Sequence, residues 1–311
     1  MKKYLIAGGA GFLGANLAKR IISDGGKVLV LDNLQTGNKR NLRVFKGEKN
    51  FKFKKHDIRR PIKIEGKFDY VLNLACPASP SKYYLDPVKT LETCSVGSQN
   101  LLEFAFKNKA RYFFTSTSEV YGDPLEHPQK ESYAGNVQSY AMRSCYDEGK
   151  RYAEALVYQY RHQKGVNTGL IRIFNTYGPM MDPDDGRVVS NFIKQSLSGD
   201  DITIQGTGKQ TRSFCFVDDQ IEAQVRFIHS DLEGPINVGN PDEFTMLELA
   251  EKVIKLTGSK SNIIHVPPAI SDPKMRKPDI GQAKKLLGWK PNIKLDEGLA
   301  RTIDWFKSIG Y

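Results

Sequence analysis

The sequence predicts an α/β protein in which a doubly wound parallel sheet is joined to a second, smaller mixed α/β domain. Short apolar runs typical of buried strands, such as residues 4–7, 28–31 and 68–75, alternate with segments of helical periodicity. The chain has 311 residues and shows no internal repeat, which suits two unequal domains with well-buried cores. We therefore expect a parallel sheet with helices on both faces.

The first apolar run leads directly into a glycine-rich turn and then a helical segment. Gly8, Gly11 and Gly14 provide a tight turn, a close backbone approach to a pyrophosphate and close packing of helix on strand. Glycines also serve ordinary tight turns, but the second strand here ends at Asp32, near the spacing expected for an acid that binds a ribose. A carboxylate there favours NAD over NADP. The predicted NAD contacts in this segment are Gly8, Gly11, Phe12, Leu13, Gly14, Asp32 and Asn33.

Three later segments complete the predicted cofactor side of the sheet. A third strand over 51–53 leads to Asp57 and Ile58, and Asp57 suits either a contact with adenine or an ordinary turn. The strand over 68–75 contains Leu74 and is followed by an irregular loop over 76–80. Ligands of parallel sheets bind at the carboxyl ends of the strands, so this loop should lie beside the cofactor. A helix over 87–107 then returns the chain to a fifth strand at 111–115.

The fifth strand and the helix after it carry the predicted chemistry. Tyr146 lies four residues before Lys150, hence one helical turn away on the same face. An ammonium group there should lower the pKa of the phenol for proton abstraction. This pattern is typical of hydride transfer to a nicotinamide.

Composition excludes several classes of protein. No apolar run approaches the roughly 20 residues of a membrane span, and glycines interrupt the N-terminal apolar run too early for a secretion signal. The four cysteines lie far apart without a CxxC motif, and the five histidines show no ligand spacing. We therefore expect no metal site and a reducing, cytoplasmic location.

The formal net charge of +11 is concentrated near the N-terminus. Residues 1–60 hold 15 of the 46 basic residues and 4 of the 35 acidic ones, so the rest of the chain is balanced. The basic stretch over 39–60 suits an anion or RNA surface, but it lacks the aromatic residues that stack on bases. We favour a solvated helix and loop at the edge of the sheet, and we do not expect a nucleic-acid partner.

Beyond a sixth strand over 168–174 the pattern becomes richer in turns. Helices are predicted over 188–197, 246–256 and 296–306, with Pro267 and Pro268 between the last two. We expect an NAD-binding domain of residues 1–176 plus 213–240. A sugar-nucleotide domain would comprise 177–212 plus 241–311.

Several longer motifs resemble a known family. Together with the glycine turn and the Tyr146/Lys150 pair, they resemble the extended short-chain dehydrogenase/reductase superfamily over essentially the whole chain. Within it they are most similar to the UDP-glucuronate decarboxylase family. The motifs are LACPASP (74–80), STSEVYGDP (116–124), CYDEGKR (145–151), DGRVVSNF (185–192) and RKPDI (276–280). The segment 137–142 departs from the expected proline- and glycine-containing turn, which leaves the shape of that loop open.

The resemblance implies conversion of UDP-glucuronate to UDP-xylose and carbon dioxide. It assigns Tyr146 as the base at the sugar 4-hydroxyl, Thr117 as a hydrogen-bond partner of that oxygen, and Lys150 as the residue that holds the nicotinamide ribose. The related 4,6-dehydratases have an aspartate at position 118. Here Ser118 is followed by Glu119, and both are expected at the sugar carboxylate.

The resemblance also implies substrate contacts in the C-terminal part. Arg187, Arg212 and Arg276 suit a diphosphate and a carboxylate, because guanidinium groups bind both in a bidentate manner. Arg276 is expected to close over the substrate, and Asn175 to contact the sugar or uracil. Taken singly, arginines are commonly surface residues, and Asn175 also suits the end of a strand.

Two alternatives remain open at this stage. A UDP-hexuronate 4-epimerase would share the Tyr/Lys pair and rotate the keto intermediate instead of decarboxylating it. A catalytically silent NAD-binding or RNA-binding protein would use the basic N-terminal region. By analogy with the family we expect a homodimer paired through the helix of Lys150 and the one before it.

Overall fold

The computed structural model describes residues 1–267 and 275–311, so Pro268 lies outside the described residues. In chain order the strands are β1 (Lys3–Ala7), β2 (Lys27–Asp32), β3 (Phe51–Lys55), β4 (Tyr70–Asn73), β5 (Arg111–Thr117), β6 (Thr168–Ile173), β7 (Thr176–Tyr177), β8 (Ile202–Gln205), β9 (Thr211–Ser213), β10 (Cys215–Phe216), β11 (Ile236–Val238), β12 (Glu243–Thr245) and β13 (Ile263–Val266). The α-helices are α1 (Phe12–Ser23), α2 (Lys39–Arg43), α3 (Pro80–Tyr83), α4 (Pro87–Glu92), α5 (Ser98–Asn108), α6 (Ser144–Lys164), α7 (Val188–Ser198), α8 (Val217–Ile228), α9 (Met246–Thr257), α10 (Gly281–Leu287) and α11 (Leu295–Ser308). A π turn, Thr93–Gly97, joins α4 to α5, and a 3-10 turn, Ser118–Tyr121, follows β5.

The main sheet has seven strands in the order β11-β6-β5-β4-β1-β2-β3. The pairs β1/β2, β2/β3, β1/β4 and β4/β5 are all parallel. From β1 the chain builds outward through β2 and β3, then returns to add β4 on the other side. The predicted doubly wound sheet is confirmed, and β1 and β4 flank the point where the strand order reverses, which is where such sheets bind ligands.

The turn between β1 and α1 requires glycine, because there is no room for a side chain. Gly8 has φ 81°, and its N–H donates to the Leu31 carbonyl at 2.8 Å. A Cβ at Gly14 would lie 2.2 Å from the Gly8 carbonyl oxygen, so α1 could not start this close to β1 with a larger residue there.

Two predicted elements have different bounds in the structure. The strand predicted over 68–75 covers only Tyr70–Asn73, and the Asn73 side chain accepts from the Ala75 N–H at 3.2 Å, which starts a turn. The helix predicted over 87–107 is interrupted by the π turn. The Thr93 hydroxyl donates to the Lys89 carbonyl at 2.7 Å, and Ser95 makes the equivalent bond to Leu91 at 2.8 Å. Such side-chain bonds to carbonyls one turn earlier compete with the regular ladder.

Helix α6 packs one apolar stripe against the core beneath the sheet. Ala153, Val157 and Tyr160 are buried at helical spacing and belong to the same cluster as Leu101 and Leu102 of α5. Both leucines are fully buried, which stabilises the fold by about 2 kcal/mol each. This packing fixes the face of α6 that carries Tyr146 and Lys150.

The chain divides into two compact units. The first comprises Met1–Val120, Val137–Arg172 and Ile221–Ile236. The second comprises Tyr121–Asn136, Ile173–Gln220 and Asn237–Tyr311.

These bounds differ from the predicted domains at 121–136, 173–176, 213–220 and 237–240, which all belong to the second unit. The segment from 121 joins it through long-range hydrogen bonds. Tyr121 donates to the Asn237 side chain at 2.7 Å, and the Gln129 N–H donates to the Lys277 carbonyl at 2.9 Å. Local sequence patterns carry no sign of such pairings.

The second unit contains three two-stranded sheets, β7/β10, β8/β13 and β9/β12. Helices α7, α9 and α11 confirm the three predicted helical segments within one or two residues at each end. Helix α9 starts at a capping box, in which Thr245 and Glu248 satisfy each other's backbone N–H groups.

Neither a membrane-spanning helix nor a metal-ligand cluster is found in the described ranges. No helix there is long and apolar enough to cross a bilayer. Within the same ranges, no three His, Cys, Asp or Glu side chains are grouped so as to hold a metal ion.

Replacing Gly14 with alanine should destabilise the first unit. The added methyl group would meet backbone atoms of Gly8 and Gly9, which cannot move aside cheaply. We expect the free energy of unfolding to fall by about 2 kcal/mol, measured by urea denaturation. The control is Gly25→Ala, where φ is 85° but no atom lies within 4 Å of an added Cβ; it should cost only about 1 kcal/mol of backbone strain. Equal losses would contradict the close contact.

Candidate active site

A groove runs along the carboxyl ends of β1 to β4, which we call the strand-end groove. Its lining residues are Gly8, Gly11, Leu31, Asp32, Asn33, Gln35, Thr36, Gly37, His56, Asp57, Ile58, Leu74, Ala75, Cys76, Pro77 and Thr93. Seven of the residues predicted to contact NAD are among them: Gly8, Gly11, Asp32, Asn33, Asp57, Ile58 and Leu74. Gly14, Phe12 and Leu13 lie just behind, in the first turn of α1.

Asp32 is tied to the glycine turn on one side of the groove. Its carboxylate accepts from the Ala10 N–H at 3.0 Å and from the Leu34 N–H at 2.8 Å. Burial raises the pKa of this carboxyl, and the two hydrogen bonds oppose the rise. A Cβ at Gly37 would lie 2.7 Å from an Asp32 oxygen, so a residue with a side chain could not pack this close to the carboxylate.

Asp57 is paired with a residue that sequence reasoning missed. Arg59 contacts it through Nε at 3.1 Å and NH2 at 2.9 Å, and also forms an ion pair with Glu92. Asn33 is a further partner at 3.4 Å. The Arg59 hydrogen bonds lower the pKa of Asp57 to about 2, so the carboxylate is ionised at neutral pH. Asp57 therefore shapes a turn and lines the groove at the same time.

Ile58 and Leu74 form part of the groove wall, and hydrogen bonds of their backbone groups hold them in place. Ile58 is buried against Gly97, and its carbonyl accepts from the Asn100 side chain at 2.8 Å. The Leu74 N–H donates to the Ala7 carbonyl at 2.9 Å, continuing the β1/β4 pairing past the end of the strand.

Tyr146 and Lys150 lie together on the buried face of α6. The Lys150 ammonium donates to the Thr115 carbonyl at 2.8 Å and lies 5.9 Å from the centre of the Tyr146 ring. It also lies 4.7 Å from the centre of the Phe114 ring. Strand β5 thus holds the ammonium at a fixed height beside the tyrosine.

The predicted low pKa of Tyr146 is wrong for this structure. The residue is 5% exposed, and burial raises its phenol pKa well above the usual range. A hydrogen bond with Thr117 lowers the pKa in part. The spacing of tyrosine and lysine predicts their proximity, but the cost of placing a phenolate in a desolvated pocket outweighs it.

Tyr83 of α3 is a second residue that the sequence did not single out. Its ring stacks on Tyr146 with centroids 5.0 Å apart and planes 7° from parallel. Tyr83 is fully buried and its hydroxyl has no hydrogen-bond partner in the described chain. The stack fixes the plane of the Tyr146 ring.

Ser118 and Glu119 begin the 3-10 turn that follows β5. The Glu119 N–H donates to the Thr117 hydroxyl at 3.2 Å, which fixes the turn relative to Thr117. Ser118 is buried. The turn therefore places three consecutive polar side chains at the carboxyl end of β5.

Arg143, also absent from the sequence prediction, holds the Glu119 side chain. Its NH2 lies 2.5 Å from a Glu119 oxygen and its Nε lies 3.5 Å from Asp147. Burial by itself would lower the pKa of Arg143, but Glu119, Tyr83 and Asp147 raise it more, so the guanidinium stays charged. The only sequence signal was its position four residues before Asp147.

The loop before α6 has neither helix nor strand over 137–142. Tyr140 and Met142 are largely exposed, and the Ser144 hydroxyl donates to the Ala141 carbonyl at 2.7 Å to start the helix.

Four predicted substrate residues lie in the second unit. Arg187 is bound to Asp185, with Nε 2.7 Å from a carboxylate oxygen. Arg212 donates to the Thr211 carbonyl at 2.8 Å, and both Arg212 and Arg276 are less than one-tenth exposed. Asn175 follows β6, and its carbonyl accepts from the Cys215 N–H at 2.9 Å.

Known proteins resemble this chain over nearly its whole length. The family profile described as GDP-mannose 4,6 dehydratase matches residues 5–302. UDP-glucuronic acid decarboxylase 6 of Arabidopsis thaliana is 51% identical over 96% of this chain and 86% of its own. UDP-glucuronic acid decarboxylase 1 of Danio rerio is 48% identical over 98% of this chain and 72% of its own. The chain belongs to the UDP-glucuronic acid decarboxylase family.

The family lies within the extended short-chain dehydrogenase/reductase superfamily, and the resemblance seen in the motifs is confirmed. Among solved structures, the UDP-glucuronic acid 4-epimerase of Bacillus cereus, in complex with UDP-glucuronic acid and NAD, superimposes with a TM-score of 0.87. It is 25% identical and covers 99% of both chains. The shared fold is therefore common to epimerases, and the higher identity to decarboxylases decides the family.

Removing the Arg143 charge should strongly destabilise the first unit. Arg143→Gln leaves the largely buried Glu119 without its arginine, and breaking such a pair costs about 3 kcal/mol. The double variant Arg143→Gln/Glu119→Gln should recover more than half of that loss, measured by urea denaturation. If the double variant instead loses as much free energy of unfolding as Arg143→Gln and Glu119→Gln lose together, the two side chains do not stabilise each other.

Proposed function

We propose that this chain converts UDP-glucuronate to UDP-xylose and carbon dioxide, using bound NAD to oxidise sugar carbon 4 and then to reduce it again. The observation that supports this most is the 51% identity to a UDP-glucuronic acid decarboxylase over 96% of the chain. The geometry of Thr117, Glu119, Tyr146 and Lys150 supports it independently, because each step needs one of these groups.

NAD fits the strand-end groove. Gly8 and Gly11 have no side chain to block the approach of a pyrophosphate to the backbone. The first turn of α1 starts there, and its N–H groups could donate to the phosphate oxygens. Asp32 would accept from the adenosine ribose and repel a 2′-phosphate. Asp57 and Ile58 would border the adenine. Phe12, Leu13 and Gly14 would hold the diphosphate through the backbone, with Asn33 and Leu74 along the groove wall.

The oxidation needs a base at the sugar 4-hydroxyl. When bound, NAD supplies the hydride acceptor, and Tyr146 takes the hydroxyl proton while Thr117 hydrogen-bonds to the same oxygen. Because burial raises the pKa of Tyr146, positive charge close to the phenol is needed to favour the phenolate. Lys150 provides one such charge and would also bind the nicotinamide ribose.

The oxidised sugar decarboxylates because of its own structure. A ketone at carbon 4 is β to the carboxylate on carbon 5, so the electrons of the breaking carbon–carbon bond move onto the ketone oxygen as an enolate. Protonation at carbon 5 and return of the hydride to carbon 4 then give UDP-xylose. The protein must hold the carboxylate in place and deliver one proton.

Ser118, Glu119 and Arg276 are the residues proposed for this second step. A dehydratase would need an acid at position 118 to expel water, and serine cannot serve that role. Glu119 would lie at the sugar carboxylate and transfer the proton that this step requires. Arg143 keeps the Glu119 carboxylate in one orientation. Arg276 would pair with the substrate.

The remaining substrate residues suit the nucleotide part. Arg187 and Arg212 would bind the diphosphate, with Asp185 presenting the Arg187 guanidinium. Asn175 would contact the sugar or uracil.

We further propose a homodimer and a cytoplasmic location. Exposed apolar side chains follow α4, the π turn, α5 and α6: Val88, Leu91, Val96, Phe106, Tyr152 and Tyr158. A second copy of the chain would cover this surface. The four cysteines are free thiols, which suits a reducing compartment.

Product analysis tests the proposed reaction. Incubation with UDP-glucuronate and NAD should yield UDP-xylose and carbon dioxide in equal amounts, measured by mass spectrometry. Formation of UDP-galacturonate without carbon dioxide would establish a 4-epimerase instead. No conversion, with RNA bound in a salt-sensitive manner, would favour the non-catalytic alternative.

Two variants should separate oxidation from decarboxylation. Tyr146→Phe removes the base and should lower both reduction of bound NAD and carbon dioxide release by at least about 100-fold. Glu119→Gln should lower carbon dioxide release by a similar factor while reduction of NAD persists, so the reduced cofactor and the 4-keto acid accumulate. The matched variant Glu119→Gln/Arg143→Gln avoids an unpaired guanidinium. Equal loss of both steps in the Glu119 variants would assign Glu119 a structural role.

A further inference from the structure

Two cysteine thiols meet at the wall of the strand-end groove. The sulfurs of Cys76 and Cys94 lie 3.3 Å apart, within van der Waals contact. Cys76 belongs to the loop after β4 and is partly exposed, whereas Cys94 lies in the π turn and is buried. The two residues come from different elements, so a bond between them would tie that loop to the helix.

The surroundings allow the two sulfurs to approach. Gly149 of α6 faces Cys94, and a Cβ there would lie 3.1 Å from the Cys94 Cβ. Glycine at this position therefore makes room for the cysteine between α6 and the π turn. A disulfide needs sulfurs about 2.05 Å apart, so a movement of about 1.3 Å shared by a surface loop and a π turn would suffice.

The two thiols also differ in chemistry. The hydrogen bond from the Cys76 thiol lowers the pKa of Cys94, and the Lys150 ammonium adds to this effect. Burial raises the pKa of Cys76. Cys94 is therefore the stronger candidate for an attacking thiolate, and Cys76 is the sulfur that a small oxidant in the groove would meet first.

We propose that Cys76 and Cys94 are a redox modification site, which a peroxide converts to a disulfide, and that this disulfide and the dinucleotide oppose each other. The proton shared by the two sulfurs moves to Cys94, and a peroxide oxygen adds to the resulting Cys76 thiolate. The O–O bond breaks, and the leaving hydroxide takes up the proton released on forming the thiolate, which gives one water. The Cys94 thiolate then attacks that sulfur, the S–S bond forms, and the oxygen leaves as a second water with the remaining thiol proton. Two thiols and one hydrogen peroxide give one disulfide and two waters, so both sulfurs are oxidised and the peroxide is reduced. A dithiol reverses the change.

The coupling follows from where the two residues are attached. Cys76 and its neighbours Leu74, Ala75 and Pro77 line the groove, and so does Thr93, the residue before Cys94. Drawing the two sulfurs together moves both walls. If bound NAD holds the two walls at the spacing of the dithiol form, then the disulfide must weaken NAD binding. The factor is the same as the one by which NAD disfavours the disulfide. This part rests on the proposed NAD binding, whereas formation of the disulfide does not.

The first experiment maps the disulfide without NAD. Hydrogen peroxide should lower the number of titratable thiols in denatured protein from four to two, and peptide mass spectrometry should find residues 76 and 94 joined. Cys94→Ser should yield no such bond. Cys215→Ser, which removes a buried thiol in the second unit, should still form it. Absence of the joined peptide in the unmodified chain, or pairing of Cys76 with Cys145 instead, would overturn the proposal.

The second experiment measures the coupling. In a dithiothreitol redox buffer at equilibrium, saturating NAD should lower the ratio of disulfide to dithiol at least about fivefold, and the oxidised protein should bind NAD at least about fivefold more weakly by calorimetry, with affinity restored by dithiothreitol. The double variant Cys76→Ser/Cys94→Ser, which has neither sulfur, should bind NAD equally before and after peroxide. An equal ratio of disulfide to dithiol at equilibrium with and without NAD would refute the coupling. Failure of the reduced protein to bind NAD at all would instead refute the proposed function and leave the mapped disulfide standing.

Discussion

The burial of Tyr146 is the constraint on which the rest of the candidate site depends. A phenol inside a protein loses its proton reluctantly, because water no longer stabilises the anion. Here the ring is stacked on Tyr83 and is 5% exposed, and its pKa is raised accordingly. The same burial fixes the position of the phenol oxygen and keeps water from a reactive ketone. A phenolate in such a site needs a positive charge at a fixed position. The Thr115 carbonyl holds the Lys150 ammonium in place.

The neighbouring Glu119 carboxylate is also largely buried and lies beside a fixed positive charge. Glu119 is largely buried and is held by Arg143, which in turn contacts Asp147 on the next turn of α6. Tyr146, Asp147 and Lys150 therefore share one helix, and β5 with its 3-10 turn supplies Thr117, Ser118 and Glu119. Packing of α6 on the core sets the distance between these two groups, so stability of the first unit and geometry of the site are coupled.

Much of the fold could be predicted because its signals are local. The apolar runs, the glycines at 8, 11 and 14 and the helical spacing of the C-terminal segments each depend on a few adjacent residues. The π turn and the membership of 121–136 in the second unit could not, because they result from hydrogen bonds and packing between distant segments. Arg143, Arg59 and Tyr83 were missed for the same reason. Their partners become visible only when the chain is folded.

The pKa of Tyr146 shows the limit most clearly. Spacing placed Lys150 beside it correctly, but spacing contains no information about desolvation, which determines the direction of the shift. Likewise, the roles proposed for Tyr146 and Lys150 do not by themselves distinguish a decarboxylase from an epimerase, and an epimerase has the same fold. The identity to decarboxylases narrows the reaction to loss of a carboxylate, and Ser118 and Glu119 are the residues we propose for that step.

The central claim is that the hydride removed from carbon 4 returns to the same sugar after the carboxylate has left. UDP-glucuronate carrying deuterium at carbon 4 tests this directly when the products are analysed by mass spectrometry and proton NMR. The account predicts UDP-xylose that retains the deuterium at carbon 4, formed together with one carbon dioxide per molecule. Retention of the carboxylate with inverted configuration at carbon 4, or release of carbon dioxide with deuterium lost to solvent, would contradict it.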